Sequence, residues 1–291
     1  MTQRKLYLGP LTDNRRWDHV TVRADDVIVV TPPKCGTTWM QTIVALLISG
    51  DPDVDTKLSE KMPWVDLRLR EIGDLSARLA AMKQQRCMKS HTPLDGLPVG
   101  EAGQYLAVFR HPLDAHFSYR NHLRNTPLSL FDMWYPDHDP DGVTFRRFLD
   151  GGPEGFDGDA MPLAHILRHY RAARAAAARR NVTLFHYADM LRDLPGTFQT
   201  VAGLIGVSHP PEVMAQLVTA ASFDHMQRHA TRYCPAGGTG FFRSDAAFFN
   251  RGGTGQWQGQ LSASELAGYD AMIDEYLTVE ERARLEHGDR P

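Results

Sequence analysis

Cysteine and long hydrophobic runs are scarce in this sequence. Its 291 residues include three cysteines, Cys35, Cys87 and Cys234, without CxxC or CxxH spacing. This pattern indicates neither a disulfide framework nor a structural zinc site, and it favours a reducing compartment. The amino terminus has no signal-peptide pattern, and the most apolar segment, residues 43–48, is too short to span a bilayer. We therefore expect a cytoplasmic protein that does not insert stably into a membrane.

An excess of charge of one sign is also absent. The chain has 32 Lys and Arg against 35 Asp and Glu, which gives a formal net charge of -3. This balance excludes the overall basicity of a protein that binds nucleic-acid polymers, so any anion must bind at a local patch. Hydrophobic residues make up 42% of the chain and can supply a substantial core. Because no repeat or low-complexity linker divides the sequence, we expect one domain over residues 1–291.

Short apolar segments alternate with segments of helical periodicity. Strands are expected at residues 26–31, 87–89, 105–109 and 182–186, and helices at residues 37–49, 75–85, 113–123, 163–180 and 196–205. Clusters of Pro and Gly place loops at residues 127–158 and 235–255. This alternation predicts an α/β fold with a central, mainly parallel sheet flanked by helices. Ligands bind such sheets beyond the carboxyl ends of the strands, so the residues after each strand are candidates for a site.

The loop after the first strand combines a cation with a helix amino terminus. It reads Thr31-Pro32-Pro33-Lys34-Cys35-Gly36-Thr37-Thr38-Trp39. The unpaired N–H groups of the first helical turn, the helix dipole, the charge of Lys34 and the close backbone approach at Gly36 all suit an anion. The loop is not a Walker A motif, because Lys34 precedes the glycine and no upstream glycine is correctly spaced. On this loop alone, an ordinary helix cap beside a surface lysine stays an open alternative.

Three further segments carry polar groups to the same edge of the expected sheet. His91 follows the second strand in Arg86-Cys87-Met88-Lys89-Ser90-His91-Thr92-Pro93, where an imidazole can accept a proton near neutral pH. Arg110 follows the third strand and offers a bidentate fork, with Ser118 two turns into the next helix. The last segment, Phe248-Phe249-Asn250-Arg251-Gly252-Gly253-Thr254-Gly255-Gln256-Trp257, has glycines that suit a loop closing over a phosphate.

In this order, the four segments resemble those of the cytosolic sulfotransferases that use 3'-phosphoadenylyl sulfate (PAPS), and the chain is identified as a bacterial member. The resemblance covers nearly the whole chain. It implies a P-loop-nucleotide-kinase-like sulfotransferase fold, with PAPS as sulfuryl donor and 3',5'-ADP as product. It also implies that His91 is the general base and that Lys34 and Lys89 stabilise charge during transfer. The residues that it implies for donor binding are Lys34, Cys35, Gly36, Thr37, Thr38, Trp39, Arg110, Ser118, Tyr187, Phe223, Met226, Asn250, Arg251 and Gly252.

Three positions of the last segment depart from the family pattern. Asn250 stands where the family has Arg, Arg251 where it has Lys, and Gln256 where it has Asp. Arg251 keeps one cation for the 3'-phosphate, whereas Asn250 offers at most neutral hydrogen bonds, so weaker donor binding is one expectation. The family's dimer motif is not reproduced by residues 258–267, which leaves a homodimer open.

The acceptor is expected to be a small molecule bound by loops at residues 62–69, 123–148 and 233–242. These loops are rich in large apolar side chains, namely Trp64, Phe131, Met133, Trp134, Tyr135, Phe241 and Phe242. They suit a hydrophobic phenol, steroid, amine or glycolipid, although packing of the loops on their own core is an equal alternative. No metal is expected, because a sulfuryl group carries less negative charge than a phosphoryl group.

Two other functions stay open from the sequence. The substitutions at Asn250 and Gln256 motivate a module that binds PAPS or 3',5'-ADP without catalysis. A nucleotide kinase of related fold is disfavoured, because the order of residues in the first loop is not that of Walker A.

Overall fold

The computed structural model describes residues 4–55, 58–126, 143–151 and 161–289, and these form a layered α/β fold. The described residues include a four-stranded, fully parallel sheet with the strand order β2-β1-β3-β4. The strands are β1 (Val27–Val30), β2 (Cys87–Ser90), β3 (Gln104–Phe109) and β4 (Val182–His186). Val27 pairs in register with Cys87 on one side and with Gln104 on the other. The predicted α/β class with a central parallel sheet is confirmed.

Helices connect and cover the strands. Two short 3-10 helices span Asn14–His19 and Leu94–Gly96. The α-helices of the described residues are α1 (Thr37–Ser49), α2 (Leu58–Lys61), α3 (Ile72–Ala81), α4 (Pro112–Arg124), α5 (Val143–Asp150), α6 (Leu163–Ala176), α7 (Tyr187–Arg192), α8 (Leu194–Ile205), α9 (Pro211–Ala220), α10 (Phe223–Arg228), α11 (Ala230–Tyr233), α12 (Asp245–Phe248), α13 (Ala263–Tyr276) and α14 (Val279–His287).

The two faces of the sheet pack against different helices. Along β1, Val27 and Val29 join a core built mainly from α1, α8 and α9, whereas Ile28 and Val30 join a core that includes α4, α6 and α13. This alternation follows from the two-residue period of a strand that is buried on both faces. No helix within the described part of the chain combines the length and apolar character that crossing a membrane requires.

The element predictions are confirmed in kind and corrected in several bounds. The helix expected at 75–85 spans Ile72–Ala81, because Met82 adopts an extended conformation before β2. The helix expected at 163–180 ends at Ala176. The loop prediction for 127–158 is wrong at α5. Phe145 and Phe148 of this helix are buried in the core, and the glycines and prolines that suggested a loop lie before and after the helix in the sequence. The remainder of that prediction, at 127–142 and 152–158, lies outside the described residues.

The loop expected at 235–255 also needs a correction, because it contains the short helix α12. Ser244 starts this helix by accepting a hydrogen bond from the backbone N–H of Ala247 at 3.2 Å. Helices α9, α13 and α14 were not predicted. Both C-terminal helices begin with a capping box, Ser262 with Glu265 and Thr278 with Glu281, which is a signal that a sequence can show.

A buried ion pair between Arg86 and Asp26 joins the starts of β1 and β2, the strands that precede the first loop and His91. Arg86 is 3% exposed and Asp26 is 0% exposed, and Arg86 Nε donates to Asp26 Oδ1 at 2.7 Å. Arg86 also donates to the carbonyl oxygens of Leu79 and Thr21 at 2.9 and 2.8 Å, while the backbone N–H of Arg23 donates to Asp26. The pair therefore fixes β1 and β2 relative to each other ahead of the site.

We expect Arg86→Met to lower the free energy of unfolding by about 3–5 kcal/mol, because it leaves the Asp26 carboxylate buried without its cation. Urea unfolding of the variant measures this loss. Arg284→Met is the matched control, since Arg284 is 41% exposed and pairs with the exposed Glu280. That variant should lose less than about 1 kcal/mol. Equal losses in the two variants would contradict a stabilising role for the buried pair.

Candidate functional site

A cavity of about 680 Å³ opens at the carboxyl ends of the strands. Loops after β1, β2 and β3 contribute to it, together with helices α4 and α10 and the glycine-rich segment near residue 250. Almost every residue predicted for the site lines it, namely Lys34, Gly36, Thr37, Thr38, Trp39, Lys89, His91, Arg110, Ser118, Tyr187, Phe223, Met226, Asn250, Arg251 and Gly252.

Cys35 is the exception among the predicted residues. Its side chain is 0% exposed and packs in the hydrophobic core on the side of α4 and α6. Its backbone N–H is directed to the carbonyl oxygen of Pro32, at 3.4 Å. Burial raises the pKa of the Cys35 thiol to about 12, so the group stays a neutral thiol. The expectation that Cys35 contacts a donor is therefore not supported by its position.

The first loop turns sharply before α1. Lys34 has φ 64° and Gly36 has φ 108°, both in the left-handed region. A Cβ at Gly36 would also lie 3.2 Å from Cδ2 of Tyr187, so glycine allows the loop to approach that ring closely. Gly36 is the N-cap of α1 and offers no side-chain hydrogen bond to the first turn. The amide groups of that turn are consequently suited to an external anion.

His91 faces the cavity with a defined tautomer. Its Nδ1 lies 2.8 Å from the carbonyl oxygen of Thr31. Because a carbonyl oxygen can only accept, Nδ1 carries the proton and donates it, which leaves the lone pair of the neutral ring on Nε2. Burial, followed by the charge of Lys89, lowers the pKa of His91 well below its usual range. The ring is thus held as a neutral imidazole, the form that can accept a proton.

A buried carboxylate that the sequence analysis missed supports His91 from behind. Asp66 is 0% exposed and accepts the backbone N–H of His91 at 3.1 Å. It also accepts the indole N–H groups of Trp17 and Trp64, and the hydroxyl groups of Ser90 and Thr92, at 2.9 to 3.1 Å. A carboxylate with several donors is well paired and fixes their geometry.

Asp66 reaches this position because the chain before it runs alongside β2. The backbone N–H of Lys89 donates to the carbonyl oxygen of Pro63 at 3.0 Å, and that of Val65 donates to the carbonyl oxygen of Lys89 at 3.2 Å. A signal for this residue exists in the sequence: a lone acidic residue stands in the apolar stretch Pro63-Trp64-Val65-Asp66-Leu67.

Lys34 and Lys89 both line the cavity, and their surroundings disfavour the charged form of each ammonium group. Burial, then the neighbouring Arg110 and more weakly Lys89, lower the pKa of Lys34 to about 7. Burial lowers the pKa of Lys89 to about 8, although the negative charge of Asp66 raises it in part. Nζ of Lys34 lies 4.4 Å from the centre of the Phe248 ring, and Nζ of Lys89 lies 4.7 Å from that of Trp64. An anion bound between these ammonium groups would favour their protonated forms.

Arg110 links the first loop to the glycine-rich segment. Its guanidinium donates to the carbonyl oxygen of Lys34 at 3.3 Å and to that of Gly253 at 2.8 Å. It lies 4.5 Å from the centre of the Tyr187 ring. Its Nε is buried and has no hydrogen-bond partner among the described residues. A buried donor without a partner is uncommon and indicates a place for an acceptor group.

The glycine-rich segment is fastened by Asp114. This residue is 0% exposed and its two carboxylate oxygens accept the backbone N–H groups of Gly255 and Gln256 at 2.8 and 2.7 Å. Gly252 has φ 64°, and a Cβ there would lie 2.2 Å from Cδ2 of Phe223, so only glycine fits. Asn250 and Arg251 are exposed at the cavity surface.

Aromatic side chains line one end of the cavity. The rings of Trp39 and Tyr187 meet edge to face with centres 5.2 Å apart, and Trp39 Nε1 donates to the carbonyl oxygen of Ala221 at 2.9 Å. Phe223 packs in the same cluster, and Met226, 3% exposed, forms part of the floor. Such aromatic faces can stack on a planar heterocycle.

The rest of the cavity lining is apolar apart from a few side chains. Trp64, Phe241 and Phe242, which were expected there, do line it. The predicted residues Phe131, Met133, Trp134 and Tyr135 lie outside the described residues. Tyr119 and His122 on α4 also line the cavity and are among the lining residues that the sequence did not predict. Within the described residues, no group of three or more His, Cys, Asp or Glu is arranged to hold a metal ion.

Known proteins are similar to this chain in sequence and in fold. A family model for the sulfotransferase domain matches residues 24–280. A glycolipid sulfotransferase of Mycobacterium bovis is 31% identical over 310 aligned positions, which cover 94% of this chain and 92% of the relative. A glycolipid sulfotransferase of Mycobacterium tuberculosis is also 31% identical, over 309 positions with the same coverage.

Solved structures show the same fold at lower identity. Mouse sulfotransferase SULT7A1 in complex with PAP superposes with a TM-score of 0.72 at 18% identity, covering 93% of this chain and 90% of that one. Retinol dehydratase in complex with androsterone and PAP gives 0.71 at 19% identity, covering 95% and 90%. The match of the family model over most of the chain shows that this protein belongs to the sulfotransferase family.

Proposed function

We propose that the protein transfers a sulfuryl group from PAPS to a hydroxyl group of a small amphiphilic acceptor. One observation carries this proposal: a neutral His91, with its lone pair on Nε2, shares a cavity with Lys34, Lys89 and an uncapped helix amino terminus. This places a proton acceptor beside groups that stabilise a developing anion, the combination that group transfer to a hydroxyl requires. Membership of the sulfotransferase family supports the choice of sulfuryl as the group transferred.

The residues of the cavity fit a nucleotide with two separate anionic groups. Lys34, with the amide groups of Gly36, Thr37 and Thr38, would hold the 5'-phosphosulfate. The 3'-phosphate would contact Arg110, whose buried Nε has no partner among the described residues, and Ser118, with Arg251, Asn250 and Gly252 closing over it. The adenine would lie among Trp39, Tyr187, Phe223 and Met226. Two solved sulfotransferase-fold proteins contain PAP, which agrees with this assignment.

In the proposed mechanism, PAPS supplies an activated sulfur whose bond to the 5'-phosphate oxygen breaks as the acceptor oxygen bonds to it. Nε2 of His91 takes the hydroxyl proton of the acceptor, and the Thr31 carbonyl stabilises the resulting imidazolium through Nδ1. The ammonium groups of Lys34 and Lys89 offset negative charge on the sulfuryl and bridging oxygens. Asp66 holds the backbone of His91, so the base keeps its position as it becomes charged.

The apolar part of the cavity lining supports an acceptor with a substantial apolar part. Trp64, Leu123, Phe241 and Phe242 all line the cavity. The two mycobacterial relatives are named for glycolipids, which supports an acceptor of that class here. The expected reducing, cytoplasmic location is supported by three free, buried thiols, although it stays a prediction.

Two further expectations about organisation also stay predictions. The single domain over residues 1–291 agrees with the family match at 24–280. The homodimer is untested, and residues 258–267, where the family's dimer motif would lie, form the turn and capping box that begin α13.

His91→Ala should lower kcat by about 100- to 10,000-fold, the usual contribution of a general base. A sulfate-transfer assay with labelled PAPS measures this loss. The affinity for 3',5'-ADP, measured by calorimetry, should change little, because the proposed phosphate contacts remain. His19→Ala is the matched control, since His19 is exposed at the end of a 3-10 helix and does not line the cavity. An unchanged rate in His91→Ala would overturn the assignment, and tight nucleotide binding without any transfer by the unaltered protein would support a non-catalytic module.

Binding of 3',5'-ADP should take up protons near neutral pH. Lys34, with a pKa of about 7, is largely neutral above pH 7.5 in the free protein, and the bound phosphate favours its cation. The affinity should therefore fall as the pH rises, by up to about tenfold per pH unit between about pH 7.5 and 8.5. Calorimetry in two buffers of different ionisation enthalpy detects the proton uptake. In Lys34→Met the affinity should be lower and most of the uptake lost; equal proton uptake in this variant would contradict the assignment.

A further inference from the structure

His122 is a polar side chain in an otherwise aromatic part of the cavity. It lies near the end of α4, and its ring centre is 5.3 Å from that of Phe242 and 5.7 Å from that of Phe248. The ring of Tyr119, one turn earlier on the helix, lies 6.5 Å away in a stacked orientation. All four residues line the cavity. Hydrophobic packing alone does not explain a histidine in this setting.

The hydrogen-bonding capacity of His122 is not used within the described residues. Nδ1 is buried and has no partner there. Burial, followed by the charges of Lys34, Lys89 and His91, lowers its pKa well below the usual range. The ring therefore stays neutral near pH 7, and it offers one N–H and one lone pair. Because Nδ1 is enclosed, Nε2 is the nitrogen left to bond a molecule in the cavity that His122 lines.

His122 also lies close to the reacting groups. Lys34 Nζ and the His122 ring contact the same phenyl ring, that of Phe248, at 4.4 and 5.7 Å. His91 and His122 line the same cavity, so an acceptor with one hydroxyl at Nε2 of His91 can extend to His122. If that acceptor were wholly apolar beyond its single hydroxyl, it would bury the imidazole without a hydrogen bond, which is unfavourable.

We propose that His122 hydrogen bonds, through Nε2, to a second hydroxyl of the acceptor, so that the protein selects a polyhydroxylated, glycoside-type head group over a phenol or sterol with a single hydroxyl. This inference rests on the proposed sulfuryl transfer and names the acceptor class for that same cavity. His91 acts on the hydroxyl that is sulfated, and His122 recognises another hydroxyl on the same head group. The aromatic rings around His122 hold the apolar faces of the sugar ring and the start of the aglycone.

The test compares an alkyl glycoside, its single deoxy analogues and a simple phenol as acceptors, with PAPS in excess. We expect His122→Phe to lower kcat/KM for the glycoside about 10- to 100-fold, the effect of losing a buried hydrogen bond. The same variant should keep or raise kcat/KM for the phenol. His122→Gln, which can place an amide near the position of Nε2, should recover part of the activity on the glycoside.

A deoxy analogue identifies the contact directly. The analogue that lacks the recognised hydroxyl should be a poor acceptor for the unaltered protein and should suffer no further loss in His122→Phe. Binding of the glycoside to protein saturated with 3',5'-ADP, measured by calorimetry, should show the same pattern without turnover. Unchanged affinity of His122→Phe for 3',5'-ADP establishes that the fold is intact.

Two results would overturn the proposal. One is an equal loss on glycoside and phenol in His122→Phe, which would assign His122 to packing or to proton transfer. The other is equal activity of the unaltered protein on the glycoside and on every deoxy analogue. Failure of the proposed function looks different: the unaltered protein would transfer no sulfuryl group to any of these acceptors.

Discussion

The mutual repulsion of cations gathered at one edge of the sheet is the constraint on which the site depends. Lys34, Lys89 and Arg110 follow or end three adjacent parallel strands, so the topology itself brings them together. Burial and Arg110 lower the pKa of Lys34 to about 7, so the surroundings of this lysine disfavour its charged form. A bound anion relieves both the repulsion and the loss of hydration. The net charge of -3 conceals this local excess of positive charge.

Two buried carboxylates hold this arrangement from outside the cavity lining. Asp114 accepts two backbone N–H groups of the glycine-rich segment, and Asp66 accepts that of His91. Their oxygens accept these donors, and neither carboxylate forms an ion pair with Lys34 or Lys89 within the described residues. Asp66 acts on Lys89 through space and raises its pKa against the effect of burial. The carboxylates thus position the cationic site without neutralising it.

The sequence predicts correctly where the placement of residues follows from one segment. It predicts Thr37–Ser49 as a helix with its observed bounds, because these residues form a largely apolar run after the first loop. It predicts convergence of Lys34, His91 and Arg110 because each follows a parallel strand. Asp66 escaped prediction because its contacts depend on how residues 63–65 run beside β2, which no local pattern specifies. Cys35 does not line the cavity with its neighbours, because a motif covers consecutive residues whose side chains point in different directions.

The histidines show why a lowered pKa alone does not identify a base. Burial lowers the pKa of His111 to about 3, yet its Nδ1 accepts the backbone N–H of Leu113 and its ring packs against Trp257. His186 uses both ring nitrogens, one toward Leu285 and one toward Ala188. Of the histidines that the structure describes, His91 and His122 line the cavity. Of these two, His91 has Nδ1 bonded to a carbonyl oxygen, which fixes the lone pair on Nε2, whereas Nδ1 of His122 has no partner among the described residues. Geometry rather than titration therefore separates a base from a residue that recognises substrate.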